Sequence, residues 1–132
     1  MPIEPQLVRA LPLFADLDDD AIGRICALAT EVELPASAVL IERNQPASGL
    51  FVLVDGTVEV ETRAGEVTLG PGDIVGELGL LADAQRSARV CATTPVRCIA
   101  IARGDFDALL EAEPRIAVPL LRTLARRLLD ST

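Results

Sequence analysis

The sequence predicts a mainly β, α+β fold: an eight-stranded β-roll, a jelly-roll-like barrel, entered by N-terminal helical segments and closed by two C-terminal helices. Three observations carry this expectation. Apolar residues recur at helical spacing before position 30 and after position 103, and between those limits they fall into short runs. Glycine-bearing turn sequences separate the runs at near-regular intervals, as in an all-β sandwich or barrel. In one run Val58, Val60 and Thr62 alternate with Glu59, Glu61 and Arg63, the period of a strand with one wet face.

Taken in order, Leu7, Leu11, Leu13 and Phe14 predict a short helix or turn whose apolar side covers the core. A helix over about 19–29 follows, with Asp18 as N-cap, Asp19 and Asp20 at its positive end, and Ile22, Ile25, Cys26 and Leu28-Ala29 at helical spacing. Strands are expected over Glu31–Leu34, Val39–Glu42, Leu50–Val54, Thr57–Glu61, Val67–Leu69, Ile74–Val75, Ser87–Ala92 and Val96–Ala102. Asp55-Gly56, Ala64-Gly65 and Gly70-Pro71-Gly72-Asp73 supply the reversals. Phe106, Leu109 and Leu110 make a short helical stripe. A second C-terminal helix runs from Pro114 to about Leu129, with Ile116, Leu120, Leu121, Leu124 and Leu128 on one side and Arg115, Arg122, Arg126 and Arg127 largely on the other. Pro119, about one turn in, should kink this helix or delay its regular start. The whole of 1–132 reads as one domain: an N-terminal helical segment 1–30, a roll 31–102 and helices 103–130.

Composition excludes several activities. The chain of 132 residues carries 12 basic groups, all arginine, against 20 acidic ones, a formal charge of −8, and no histidine. Catalysis by Ser-His-Asp or Cys-His groups and His-containing metal centres are therefore ruled out, including the metal site of a cupin-type barrel enzyme. Net acidity argues against gripping nucleic acid, whose affinity comes mainly from basic residues neutralising phosphates. No apolar run reaches the roughly 18 residues of a membrane span. The start Met1-Pro2-Ile3-Glu4-Pro5 lacks the basic and apolar regions of a signal peptide, so a cytoplasmic location is expected, with no membrane partner. Cys26, Cys91 and Cys98 contain no CxxC and read as packed thiols, although Cys91 and Cys98 could face each other across a hairpin turning at Thr94-Pro95.

The densest chemical signal lies at 72–89. Gly76 and Gly79 allow a sharp turn that aims several backbone N–H groups at one point, a small anion nest. Arg86 can add a two-pronged guanidinium and Ser87 a hydroxyl, whereas ionised Glu77 is a pure acceptor that suits a sugar hydroxyl. A ligand with one compact phosphate and one ribose hydroxyl fits all of these groups. A buried Glu77–Arg86 ion pair beside a glycine turn fits them equally well on spacing alone.

The run Gly76-Glu77-Leu78-Gly79-Leu80, followed after five residues by Arg86-Ser87-Ala88, resembles the phosphate-binding cassette of cyclic nucleotide-binding domains. That family includes the bacterial catabolite activator, the regulatory subunits of cAMP-dependent kinase and cyclic-nucleotide-gated channels. The resemblance extends to Leu11-Pro12-Leu13-Phe14, to Phe51 through Val58, to Gly70-Pro71-Gly72-Asp73, and to Asp105-Phe106, Glu113-Pro114 and Leu124-Ala125-Arg126-Arg127-Leu128 in the closing helices. It implies that Glu77 binds the ribose 2′-OH, that amides around Gly76, Leu78 and Gly79 meet the cyclic phosphate, and that Arg86 neutralises it with help from Ser87 while Ala88 lies alongside. It makes Leu69, Val75 and Leu78 pocket lining or core, and puts base contacts at Ser131 and Thr132, where fraying of a chain end is the competing reading. The chain departs from the pattern at Asn44-Gln45, where Gly-Asp is usual, near Ala36-Ser37, where a glycine is usual, and at Gln85, often proline.

The resemblance implies a non-catalytic regulatory domain whose ligand is a cyclic nucleotide, cAMP favoured over cGMP, since Ser87 and not threonine follows Arg86. No cofactor or metal is expected. Closure of the C-terminal helix over the occupied pocket would be the signal, passed to an effector protein or a second copy of the chain. The other reading is a degenerate roll that binds no nucleotide and dimerises or docks through the last helix. The chain ends directly after that helix, so a stand-alone sensor or a fragment is expected.

Overall fold

The computed structural model describes residues 3–42, 49–62, 65–76 and 88–130. A short helix α1 (Pro5–Arg9) and a 3-10 turn (Pro12–Phe14) lead into α2 (Asp19–Leu28). Asp18 caps α2 as expected: its backbone is extended, and its Oδ1 accepts from the Ala21 amide at 2.9 Å. Ile22 and Ile25, on one stripe of α2, are buried with Val8, Leu13 and Phe14, so the N-terminal segment supplies core residues.

Eight strands follow among the described residues: β1 (Thr30–Leu34), β2 (Val39–Ile41), β3 (Gly49–Asp55), β4 (Val58–Thr62), β5 (Gly65–Leu69), β6 (Ile74–Val75), β7 (Arg89–Ala92) and β8 (Val96–Ala102). They form two antiparallel sheets, ordered β1-β8-β3-β6 and β2-β7-β4-β5. The chain changes sheet at every connection except the β4–β5 hairpin, which is the double-sheet arrangement of a jelly roll. Asn44-Gln45, where the chain departs from the family pattern, lies outside the described residues. At Ala36-Ser37, near where the resemblance leads to an expected glycine, Ser37 takes a positive φ of 74° with a side chain present.

The core has two parts because the β1-β8-β3-β6 sheet is covered on both faces. Toward the helices, Leu50, Val52, Ile99 and Ile101 pack on Phe14, Ile22, Ile25 and Phe106. Toward the other sheet, Leu53, Val75, Val96 and Cys98 meet Ile41, Val58, Val90 and Ala92. Two covered faces explain why β3 and β8 read as continuous apolar runs, while β4, with Glu59 and Glu61 outward, reads as alternating. At the β3–β4 reversal Gly56 has φ +90°, and a Cβ there would lie 2.2 Å from the Pro95 carbonyl oxygen. Only glycine satisfies both constraints.

Two expectations are corrected here. Strands β7 and β8 belong to different sheets, so Cys91 and Cys98 do not face each other across a hairpin; all three cysteines are free, and burial pushes the Cys98 thiol up to about 11. After β8 come α3 (Arg103–Ala112), a 3-10 turn (Pro114–Ile116) and α4 (Ala117–Asp130). Ile116 and Leu120 are buried, but Leu121 and Leu128, placed by spacing on the same side, are 63% and 68% exposed. The reason is angular: the stripe is wider than the surface α4 meets, and its outer leucines overhang. Pro119 delays the helix rather than kinking it, because α4 begins at Ala117 and the proline falls in the first turn, where an N–H has no intrahelical partner to lose.

Candidate functional site

Strand β6 is only two residues long, and its position is fixed from both ends. It pairs with β3 through Val52–Ile74 and Phe51–Val75. Ahead of it the Gly70–Asp73 reversal is closed by Asp73 Oδ2, which accepts from the Gly70 amide at 2.9 Å, while Gly72 N donates to Leu53 O at 2.8 Å and Leu53 N to Asp73 O at 2.9 Å. The turn is thereby clamped to the centre of β3. Immediately after β6, Gly76 takes φ +93°, a conformation that side chains rarely adopt. The backbone therefore turns sharply at the first glycine of the run.

Ala88, half-buried, stands just before β7. Since β6 and β7 lie in different sheets, Gly76 and Ala88 bracket the passage of the chain from one sheet to the other. Glu77, Leu78, Gly79, Arg86 and Ser87 fall between them and, like Ser131 and Thr132, lie outside the described residues. Val75, assigned to pocket or core, is core at 2% exposure. Leu69 lines a recess and packs against the roll's inner cluster. On the same face of β5 as Leu69, and paired with Val60, Val67 is 51% exposed.

The structure adds one residue that had no assigned role. Arg127 donates from Nη2 to the Ile74 carbonyl oxygen at 2.5 Å, joining α4 to the strand that delivers Gly76. The arginines of this helix are expected largely on the side away from its leucines, but Arg127, seven residues after Leu120, falls on the leucine side, and its partner 53 positions away is not readable from spacing. Next to this contact is a recess of about 270 Å³ lined by Leu69, Asp73, Arg122, Thr123, Arg126 and Arg127. Three arginines and one aspartate line it, a local excess of positive charge in a chain of formal charge −8. A larger hollow of about 410 Å³ at the start of β8 includes Asp55 and Arg97, but Arg97 is already engaged by Glu31 and Asp55.

Other candidate chemistry is weak. Glu59, Glu61 and Glu66 converge on the outer face of the β4–β5 hairpin, where the hydrogen bond and charge of Glu66 hold the Glu59 carboxyl above its usual range. Nothing else there points to a cation.

A model of the cyclic nucleotide-binding domain matches residues 31–113. The chain belongs to the cyclic nucleotide-binding domain family. This domain is 35% identical over 122 residues to a cyclic nucleotide-gated potassium channel of Mesorhizobium japonicum, a match covering 92% of the chain and 34% of the channel. Among solved structures it is similar to the catabolite activator protein of Thermus thermophilus (28% identity, TM-score 0.78, covering 91% of this chain and 59% of that one). It is also similar to a cAMP-binding acyltransferase from Mycobacterium smegmatis (27% identity, TM-score 0.81, covering 96% and 41%). The cyclic nucleotide-binding domain spans about a third or less of the first curated relatives it matches. Among the described residues, no helix is long and apolar enough to cross a membrane.

Proposed function

We propose that this cyclic nucleotide-binding domain is a non-catalytic sensor that binds cAMP in preference to cGMP and reports occupancy through α4. The observation that carries the reading is the convergence at β6: a left-handed Gly76 opens the cassette, and the last helix is bonded to the strand immediately before it. Amides around Gly76, Leu78 and Gly79 receive the cyclic phosphate, Arg86 neutralises it with Ser87, Ala88 lies alongside, and Glu77 accepts from the ribose 2′-OH. Ser131 and Thr132 follow α4 and reach the base. No cofactor or metal takes part.

Closure of α4 is the output, because a ligand that contacts both the cassette and the helix binds the closed arrangement more tightly and shifts the population toward it. The four large exposed apolar residues of α4, Val118, Leu121, Leu128 and Leu129, favour a companion reading in which the helix also docks on an effector or on a second copy of the chain. Nucleotide affinity of Arg86→Ala and of the parent with 2′-deoxy-cAMP tests the assignments. Arg86→Ala should lose about a hundredfold and the deoxy ligand about tenfold, roughly 2.8 and 1.4 kcal/mol. Unchanged affinity in both would overturn them.

A further inference from the structure

Glu113 is the one charged residue found buried among the described residues, 7% exposed, and it occupies the joint between α3 and α4. Its amide closes α3 on the Leu109 carbonyl at 2.8 Å, and its own carbonyl accepts from Ile116 at 3.1 Å to open the 3-10 turn. Pro114 behind it keeps its backbone out of the helical region, at φ −131°, ψ 78°. The carboxylate is held from two sides: Oε1 accepts from Arg24 Nη1 at 2.9 Å and Oε2 from Arg115 Nη2 at 3.0 Å. Arg115 also donates to Asp18 Oδ2 at 3.3 Å.

Asp18 and Arg24 are the cap and the second turn of α2, so two contacts nearly ninety or more positions apart in sequence fasten the first long helix to the joint of the last. Pro114 alone would break the helix. A buried carboxylate is an expensive way to mark a turn unless its partners fix a direction. The two arginines do so: Arg24 sets the carboxylate against α2, and Arg115 carries that setting into the turn from which α4 departs.

We propose that Glu113 is the positioning residue of the α3–α4 joint, and that α2, through Arg24 and Asp18, sets the angle of α4 and how readily it moves. The inference rests on the reading of α4 as the moving element. Releasing Arg24 leaves the carboxylate with one arginine and gives the joint a second accessible arrangement.

Hydrogen exchange and cAMP titration of the full chain test this in Arg24→Ala, Arg24→Lys, Glu113→Gln and Arg9→Ala. In Arg24→Ala and Glu113→Gln, amides of α4 should exchange about threefold faster or more, those of β3 and β8 should not change, and cAMP should bind about threefold more weakly. Arg24→Lys restores a charged donor and should recover much of both effects. Arg9→Ala, which removes an exposed pair between α1 and Asp19 at the start of α2, should change neither. Exchange in α4 equal to the parent, or acceleration spread evenly over the roll, would overturn the proposal. A parent that binds no cyclic nucleotide would sink the sensor reading, while exchange in α4 would still decide the role of the joint.

Discussion

The Arg127 guanidinium and the Ile74 carbonyl oxygen, 53 positions apart, share a 2.5 Å hydrogen bond that connects the last helix to the strand leading into Gly76. A charged donor to a carbonyl contributes about 1.5–3 kcal/mol when buried, and less at this half-buried site, about 1 kcal/mol. Arg127→Ala should therefore cost about that much in denaturant unfolding and weaken cAMP binding by several-fold to tenfold. Arg122→Ala, in the same recess but exposed, should move stability by less than about 0.5 kcal/mol. Equal effects of the two substitutions would remove any special role for the Arg127 contact.

Gly76→Ala would place a methyl group on a residue at φ +93°. The left-handed cost is about 1–2 kcal/mol, partly offset by the lower entropy of the unfolded alanine chain. The variant should fold with a small loss of stability yet bind nucleotide at least about tenfold more weakly, because relief of strain moves the amides that follow. Gly56→Ala meets both a positive φ and a carbonyl oxygen, and should lose about 3 kcal/mol or more with no specific effect on the ligand.

Ser37, exposed and left-handed at φ 74°, predicts the opposite sign. Ser37→Gly removes the steric cost of that conformation against a smaller entropic cost, and should stabilise the fold by about 0.5 kcal/mol in urea unfolding. A destabilised variant would mean that the serine side chain earns its place through a contact of its own.

Asp18 links folding to pH. The Ala21 amide and then the Arg115 guanidinium hold its carboxyl below the usual 3.8. A group depressed in the fold stabilises above its unfolded value, and that contribution is lost as pH falls through the folded value. Asp18→Asn keeps an acceptor for Ala21 but not the charge, so its thermal midpoint should approach that of the parent on going from about pH 7 to about pH 3. A constant difference between the two proteins across that range would contradict the assignment.

The sequence carried the roll well where chemistry is local. The Asp18 cap, the glycine reversals and the paired periods of β4 each have a single-residue cause, and the strand limits came within about two residues of those observed. What it could not carry depends on which surface meets which. Leu121 and Leu128 share the spacing of Leu120 and Leu124, yet only the structure says which part of the stripe α4 buries. Arg127 and Glu113 gained their roles from partners 53 and 89 positions away, distances at which periodicity says nothing. What could be read of the candidate site was its chemistry in the sequence, concentrated in the run from Gly76 to Ala88. The structure describes only the two ends of that run, and one of them, Gly76, is left-handed at φ +93°.

Calorimetric titration of the chain with cAMP, beside cGMP, is the most direct measurement. Saturable one-to-one binding, tighter for cAMP and abolished or reduced about a hundredfold in Arg86→Ala, is the result this account predicts. A folded chain that gives no saturable binding with either nucleotide at high micromolar concentration would contradict it, and would leave the roll as a scaffold whose working surface is the exposed face of α4.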